Sequence, residues 1–335
     1  MAGKKKSCKK TEIIISMTTL PDRCENACKS IRSIYRGTML PDRIILWLCH
    51  EDFGNEIPDC LVGLSSEIPI FEVRWSDVDY GPATKLLPAI KAFPDALIMN
   101  LDDDYEYKPD ILENVYNCWK LNPNSIITVA AHRIGITRTR GYMFNRDGAF
   151  FGGTHYPVRS KGYDLMFLSG HGTMYPPHVF DGSEVMNVEL MNSHWRTHDE
   201  LWFWMNAVAN GVETVVCGDY INLPGTGWTL NYNPAKDPLW KKNNMKEPVM
   251  LKLAGEFIKK RNPKVLKYFA CYDPKITDLS WMKPEDRQLF RMRMHAVDRG
   301  RAENDEFVPD GFDYQPTLKK APIYNRSFTE IFRDV

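Results

Sequence analysis

The sequence predicts an α/β fold in which a mostly parallel sheet is flanked by helices and followed by a largely helical C-terminal extension. Through the first half of the chain, short apolar runs alternate with stretches whose apolar residues recur at helical spacing. That alternation is typical of parallel strands joined by helices. Beyond about Pro234 the sequence becomes rich in Lys, Arg and Met and favours helix. The 335 residues therefore divide into a main domain over residues 11–235 and an extension over residues 236–335.

Each predicted strand is a short, mostly apolar run, and the first is rich in β-branched residues. The predicted strands are Glu12–Met17, Arg43–Cys49, Ile68–Trp75, Ala96–Leu101, Ser125–Ala131 and residues 212–218. Helices are predicted where apolar residues recur at helical spacing, with Gly37 ending the first helix and Pro109 beginning the third. The predicted helices cover residues 23–37, 83–93 and 109–120 and His198–Gly211. The pattern loosens over residues 135–177, where no element is predicted.

Composition narrows the class of protein. Lys plus Arg equals Asp plus Glu, at 43 each, so the overall charge favours neither nucleic acid nor membrane as a partner. The lysines near the start either form a solvated terminus or touch an anionic membrane surface; they are Lys4, Lys5, Lys6, Lys9 and Lys10. We find no signal peptide and no run of 18 apolar residues in the sequence. We therefore expect a cytoplasmic protein, with peripheral contact to the membrane face as the alternative.

The eight cysteines are scattered and form neither a CxxC pair nor a zinc-type Cys/His spacing. Cys49 and Cys217 lie in apolar runs and are predicted to be small core residues. A chain of this length does not depend on a disulfide framework, which favours a reducing compartment.

Three aspartates, Asp102, Asp103 and Asp104, directly follow the predicted strand Ala96–Leu101. Ligands of parallel α/β sheets bind outside the carboxyl ends of the strands. Clustered carboxylates raise one another's pKa unless a cation joins them, and carboxylate oxygens suit Mg²⁺ or Mn²⁺, which also bind substrate phosphates. The alternative is an acidic turn that stabilises the start of the next helix. The sequence contains neither GxxxxGK[ST] nor GxGxxG, so the metal and a basic residue would carry a bound phosphate's charge.

Four successive blocks carry a family resemblance: "IIISMTTLPDR", "LPDRIILWLC", "VDYGPATKLLPAI" and "LIMNLDDDYEY". Together they resemble the DxD-type, metal-dependent glycosyltransferases of the GT-A fold, in particular bacterial enzymes of capsule and other surface polysaccharides. The resemblance covers about residues 11–235. It implies a GT-A, Rossmann-like sheet, a nucleotide-sugar donor over the strand ends, a saccharide or glycan acceptor, and Mn²⁺ or Mg²⁺ as cofactor. We also expect no nucleic-acid partner, because no basic patch adjoins the acids in the sequence.

The resemblance also implies roles for individual residues. Asp104 is the expected direct metal ligand, with Asp102 as a second one. Asp103 and Asp102 are expected to face the ribose or hold metal-bound water. The other residues expected at the nucleotide-sugar are Thr18, Thr19, Arg23, Asp79 and Lys85. Arg23 is alternatively a surface charge at a helix start.

The stretch "THDELWFW" (Thr197 to Trp204) is the second acidic site. An inverting transfer needs a base on the far face of the sugar to take the acceptor's proton. The resemblance implies Asp199 as that base, with Glu200 next to it, at the start of a helix that Thr197 or His198 caps. Binding of the acceptor by the acid pair, helix capping alone, and retention of configuration stay open. The residues expected at the acceptor are His171, Trp202 and Trp228, and Pro224–Asn233 is expected to be an active-site loop.

Two other functions fit part of this pattern. A nucleotidyltransferase acting on sugar phosphates also uses an α/β sheet, a divalent ion and carboxylates. Its usual glycine-rich loop is missing after the first strand, where "MTTLPDR" stands. A non-catalytic sugar-binding module would not need both acidic sites. The sequence names neither the sugar, the nucleotide nor the acceptor.

Overall fold

A sheet of eight strands organises the chain, and it is mixed but mostly parallel. The computed structural model describes residues 11–137, 143–151, 160–217, 229–232 and 239–269. The strands are β1 (Ile13–Thr18), β2 (Arg43–Cys49), β3 (Phe71–Ser76), β4 (Leu97–Asn100), β5 (Tyr105–Tyr107), β6 (Ile126–Thr128), β7 (Ala131–Thr137), β8 (Met143–Phe151), β9 (Ser160–Gly162), β10 (Leu165–Phe167), β11 (Thr173–Tyr175), β12 (Thr214–Val216) and β13 (Thr229–Tyr232).

Helices alternate with strands along the chain. They are α1 (Cys24–Tyr35), α2 (His50–Phe53), α3 (Asp59–Glu67), α4 (Leu87–Ala92), α5 (Ile111–Leu121), α6 (Val188–His194), α7 (Asp199–Ala209) and α8 (Leu239–Arg261). Short 3-10 helices cover Pro21–Arg23, Gly81–Lys85, Ser169–His171 and Pro263–Tyr268.

The main sheet has the order β3-β2-β1-β4-β11-β6-β12-β9. Neighbours from β3 to β4 are parallel. Strand β11 runs antiparallel to β4 and to β6, and β12 is parallel to β6. Strand β9 closes the edge antiparallel to β12. Six strands therefore share one direction, while β11 and β9 oppose them. Two small sheets, β10-β7-β8 and β13-β5, complete the topology.

The central strands are buried on both faces, as parallel strands covered by helices must be. In β1, Ile14 joins the core cluster that contains Trp202 of α7 and the buried residues of α4 and α8. Its neighbours Ile13 and Ile15 join the cluster that contains the buried residues of α1, α3 and α5. This alternation places one layer of helices on each side of the sheet.

The predicted α/β class, with a mostly parallel sheet flanked by helices, is confirmed. Strand β2 has its predicted bounds, and β1 and β4 differ from theirs by one residue at each end. The predicted helix over residues 83–93 is instead the 3-10 helix Gly81–Lys85 followed by α4, with Pro88 in the first turn of α4. The predicted strand Ser125–Ala131 is shorter, and β7 already begins at Ala131.

Two expectations need correction. Residues 135–177 contain the end of β7 and the strands from β8 to β11. Strands of three residues, such as β11, are too short to show a period of two. The expected loop Pro224–Asn233 includes β13, which pairs antiparallel with β5. Trp228, the N-terminal lysines and the rest of that loop lie outside the described residues.

Helix α8, at the start of the predicted extension, packs on the main core. Its buried residues Leu251, Ala254 and Ile258 belong to the same cluster as Trp202 and Trp204 of α7. The division near residue 235 stays a prediction. Among the helices described, none is both long and apolar enough to cross a bilayer.

Replacing Trp202 by Ala tests the core on the α7 side of the sheet. The ring is fully buried, and its indole N–H donates to the Val185 carbonyl at 3.0 Å. Because the change leaves a large cavity, we expect a loss of about 3–5 kcal/mol in the free energy of unfolding, measured by urea denaturation. Leu121→Ala on α5 is the control, since Leu121 is 71% exposed and should change stability by less than about 0.5 kcal/mol. Equal effects of the two changes would contradict this account of the core.

Candidate active site

The three aspartates lie where β4 ends, and the first of them is fixed by its backbone. The N–H of Asp102 donates to the Gly170 carbonyl at 3.0 Å and to the Tyr107 hydroxyl at 2.7 Å. The Tyr107 hydroxyl in turn donates to the Gly170 carbonyl at 2.7 Å. Strand β5 and the 3-10 helix Ser169–His171 therefore hold Asp102 from two sides.

Gly170 leaves room for the Asp102 side chain. A Cβ atom added at Gly170 would lie 1.8 Å from the carboxylate carbon of Asp102, far inside any allowed contact. The carboxylate thus rests directly on the Gly170 backbone. Neither Gly170 nor Tyr107 was predicted as a site residue. The glycine-rich "SGHG" that contains Gly170 was the available signal.

Asp103 and Asp104 share one guanidinium. The Thr19 hydroxyl donates to Asp103 at 2.6 Å, and Arg23 pairs with Asp103 and, at 3.1 Å, with Asp104. Burial raises the pKa of Asp103 to about 6, although Arg23 opposes the rise. Burial, together with the charge of Asp102, raises the pKa of Asp104 to about 7. Three predicted donor-site residues thus meet at this strand end: Thr19, Arg23 and Asp103.

A buried lysine joins the two acidic sites. The Lys85 ammonium lies 2.7 Å from an oxygen of Asp102 and 3.2 Å from an oxygen of Asp199, and its side chain is 6% exposed. Burial alone would lower the pKa of Lys85, but these two carboxylates outweigh burial and raise it well above its ordinary value. The backbone is fixed as well, because the Ser16 hydroxyl donates to the Lys85 carbonyl at 2.5 Å.

Asp199 and Glu200 form the first turn of α7 and have different electrostatic surroundings. Burial raises the pKa of Asp199 to about 6, and Lys85 opposes this rise. Burial also acts on Glu200, but the imidazole of His198, 3.4 Å away, outweighs it, so the pKa of Glu200 is lowered to about 2. His198 occupies the N-cap position of α7 without making a side-chain capping bond. The expected effect of the helix end on Asp199 is thus smaller than the effect of burial.

His171 lies at the same edge of the sheet, beside the aspartates. Its ring nitrogen is 3.4 Å from the Tyr105 hydroxyl, and the two ring centroids are 5.3 Å apart. Burial lowers the pKa of His171 to about 4, against the opposing charge of Asp102. His171 is therefore neutral at pH 7.

The remaining predicted site residues make other contacts. Asp79 accepts from the Gly81 N–H at 2.6 Å and pairs with Arg196, which also donates to the Asp79 carbonyl at 2.8 Å. Gly81 has a φ of +61°, so Asp79 fixes a turn that favours glycine. The Thr18 hydroxyl donates to the Trp47 carbonyl at 2.9 Å. Trp202 is fully buried, which leaves its ring no exposed face for an acceptor.

The carboxylates offer oxygen ligands to a cation. One oxygen of Asp104 is buried and accepts no hydrogen bond from the described residues. An oxygen of this kind suits a hard divalent cation, and Asp102 follows the same strand. Across the described ranges, no group of three or more His, Cys, Asp and Glu side chains has the arrangement of a formed metal site. Any cation would therefore be completed by ligands other than these side chains.

No protein-family model matches this chain, and no curated protein is similar to it in sequence. Solved structures do match, among them the crystal structure of S. aureus TarS 1-349. That chain is 10% identical, with a TM-score of 0.45, and the match covers 93% of this chain and 79% of TarS 1-349. A similarity of this size does not assign the chain to a family.

Gly170→Ala tests the close contact between the Asp102 carboxylate and the Gly170 backbone. The new methyl group must push the Asp102 carboxylate away, so we expect a loss of about 1–3 kcal/mol in the free energy of unfolding, measured by urea denaturation. Gly63→Ala is the matched control. Gly63 lies in α3 with nothing within 4 Å of its Cβ position, so the same change there should stabilise by about 0.5–1 kcal/mol. If Gly170→Ala were as stable as the wild type, the close contact between Asp102 and the Gly170 backbone would not be needed for stability.

Proposed function

We propose that this protein is a divalent-metal-dependent glycosyltransferase that moves a sugar from a nucleotide-sugar to a hydroxyl of a saccharide or glycan, with inversion. One observation carries the proposal: the Lys85 ammonium contacts Asp102 of the first acidic site and Asp199 of the second. Two acidic sites far apart in the sequence thereby meet at the carboxyl ends of parallel strands, where α/β sheets bind ligands. A glycosyl transfer needs both, one at the leaving group and one at the attacking hydroxyl.

The first acidic site fits a divalent cation, Mn²⁺ or Mg²⁺. Asp104 would hold it through the oxygen that has no hydrogen-bond donor, with Asp102 as the second carboxylate. When bound, such a cation stabilises negative charge on a leaving diphosphate. Thr19 and Arg23 hold Asp103 in place. In this proposal Asp103 contacts the ribose of the donor. Thr18 directly precedes Thr19 at the end of β1.

The second acidic site supplies the base. Asp199, with a pKa of about 6, is mostly ionised at pH 7 yet basic enough to take a proton, which is the range in which a general base works best. It takes the proton of the acceptor hydroxyl while the acceptor oxygen bonds to the anomeric carbon. The bond from that carbon to the diphosphate oxygen breaks, and the nucleoside diphosphate leaves with the electron pair. This single displacement inverts the configuration.

Glu200 has a different task in this proposal. Its lowered pKa keeps it ionised and paired with His198, so it is a poor proton acceptor at neutral pH. A fixed carboxylate accepts hydrogen bonds well, which suits orientation of the acceptor's hydroxyl groups. His171, neutral at pH 7, lies close enough to the aspartates to contact the transferred sugar.

The direct test is a screen of nucleotide-sugars and free nucleotides by thermal shift, with and without Mn²⁺, followed by a search for transferred product. A ligand that binds the folded state raises the melting temperature by mass action. The proposal expects a nucleoside diphosphate or its sugar to stabilise the protein more in Mn²⁺ than in EDTA. No stabilisation by any of them, in either condition, would overturn it.

Asp104→Asn tests the metal assignment. The amide is a weaker ligand for a hard cation, so we expect Mn²⁺ affinity to fall by at least about tenfold, measured by calorimetry, with loss of turnover. Asp95→Asn is the matched control, because Asp95 is 91% exposed and, within the described part of the chain, pairs with the surface residue His178. Full turnover of Asp104→Asn, or of the wild type in EDTA, would remove the metal from the proposal.

Asp199→Asn tests the base. We expect kcat to fall on the order of 10²–10⁴-fold with donor binding intact, and Glu200→Gln to fall less. In the wild type, protonation of Asp199 removes the base, so kcat/KM should drop about tenfold per pH unit below about pH 6. NMR of the product should show the inverted anomer. Retained configuration, or near-normal kcat in Asp199→Asn, would leave Asp199 as a residue of the helix start.

A further inference from the structure

Lys85 contacts carboxylates in this structure, although the sequence led us to expect a contact with the donor. We propose that Lys85 is a positioning residue that holds the carboxylate of Asp199 in place and keeps it ionised for proton transfer, rather than a ligand of the donor diphosphate. The inference rests on the proposed function, because it assigns the base of that reaction a partner. A positioning role predicts changes in kcat and in the pH profile, whereas a role in donor binding predicts a change in the donor KM.

The contact geometry supports a fixed clamp. The ammonium lies between Asp102 and Asp199 at 2.7 Å and 3.2 Å, and the side chains of Lys85 and Asp199 are each only 6% exposed. The ammonium donates a hydrogen bond to Asp102, and its 3.2 Å contact with Asp199 is an ion pair. Because the Lys85 side chain is 6% exposed, a donor phosphate would have to enter a closed position to reach it.

The backbone that carries Lys85 is held independently of any ligand. Lys85 ends the 3-10 helix Gly81–Lys85, and its carbonyl accepts the Ser16 hydroxyl of β1. The Ser16 oxygen also accepts the indole N–H of Trp47 in β2 at 3.0 Å. One turn earlier, the Tyr80 N–H donates to the Thr84 hydroxyl at 3.1 Å. The lysine therefore reaches the acids from a backbone that is fixed on the neighbouring strands β1 and β2.

The charges around Asp199 explain why it needs a cation. Two carboxylates face it, Asp102 from the end of β4 and Glu200 from the same turn of α7, while the phenol of Tyr175 on β11 stays neutral because burial raises its pKa. Both carboxylates disfavour an ionised Asp199, as burial does, and Lys85 opposes all of these effects. Glu200, by contrast, has His198 as its partner. Asp199 and Glu200 thus pair with different basic residues, Lys85 and His198.

Lys85→Met separates the two roles, because methionine keeps the length of the side chain and removes the charge. Without the ammonium, Asp199 should hold its proton to higher pH. We expect kcat at pH 7 to fall by at least about tenfold and the acid limb of the pH profile to move to higher pH, with activity recovering there, while donor KM changes by less than about twofold. Lys91→Met, on the exposed face of α4, is the control and should change none of these values.

The opposite pattern would overturn the inference. If Lys85 binds the diphosphate, Lys85→Met raises the donor KM and Kd and leaves the acid limb where it is. This result differs from failure of the proposed function, in which the wild-type protein transfers sugar from no donor in the screen. A substrate-free measurement covers that case: the carboxyl ¹³C signal of Asp199, assigned with Asp199→Asn, should titrate at higher pH in Lys85→Met than in the wild type. An unchanged titration counts against the inference.

Lys85→Met leaves buried carboxylates without their cation, so a second comparison guards against loss of the fold. In the double variant Lys85→Met/Asp199→Asn, the uncompensated charge of Asp199 is removed as well. If the two side chains are partners, the double variant should melt at a higher temperature than Lys85→Met alone. Lys85→Met/Asp95→Asn is the matched control and should show no such recovery. Equal melting temperatures of Lys85→Met and its double variant with Asp199→Asn would overturn the pairing.

Discussion

A buried ammonium is the constraint on which this edge of the sheet depends. A charge removed from water costs several kcal/mol unless partners compensate it. Lys85 is compensated only when the end of β4 brings Asp102, and the start of α7 brings Asp199, to within contact of its side chain. Three segments of the chain are thus required to meet at one point. Loss of either partner leaves buried charge less well compensated, so the fold and the candidate site depend on the same residues.

The antiparallel strand β11 brings Gly170 next to Asp102. It lies between β4 and β6, with Thr173 opposite Asn100. That register sets the 3-10 helix Ser169–His171, which precedes β11, beside the residues that follow β4. Gly170 therefore reaches the Asp102 backbone and side chain at once. An all-parallel sheet would not have brought a preceding turn to this edge.

Sequence reasoning found the elements and the acids, but not the contacts between them. Strands β1, β2 and β4 are continuous apolar runs, and charged residues interrupt that pattern at Asp102, so both strands and aspartates are visible locally. Strand β11 has three residues, too few to show a period. The Gly170 carbonyl and the Tyr107 hydroxyl accept the Asp102 N–H. These groups are uncharged, so a pattern of charged residues does not reveal them. The partnership of Lys85 with Asp199 depends on long-range folding, so sequence alone suggested a phosphate as its partner.

Burial and neighbouring charges affect the pKa values of the two α7 acids, Asp199 and Glu200, more than the helix N-terminus does. A helix N-terminus favours a carboxylate by about 0.3–1 kcal/mol, less than one pKa unit at about 1.4 kcal/mol each. Burial raises the pKa of Asp199 to about 6, so burial outweighs the helix end even with Lys85 opposing the rise. One residue later, His198 reverses the outcome for Glu200. Adjacent acids on one helical turn thereby acquire pKa values on opposite sides of the ordinary range, which is the arrangement that lets one exchange a proton while the other stays charged.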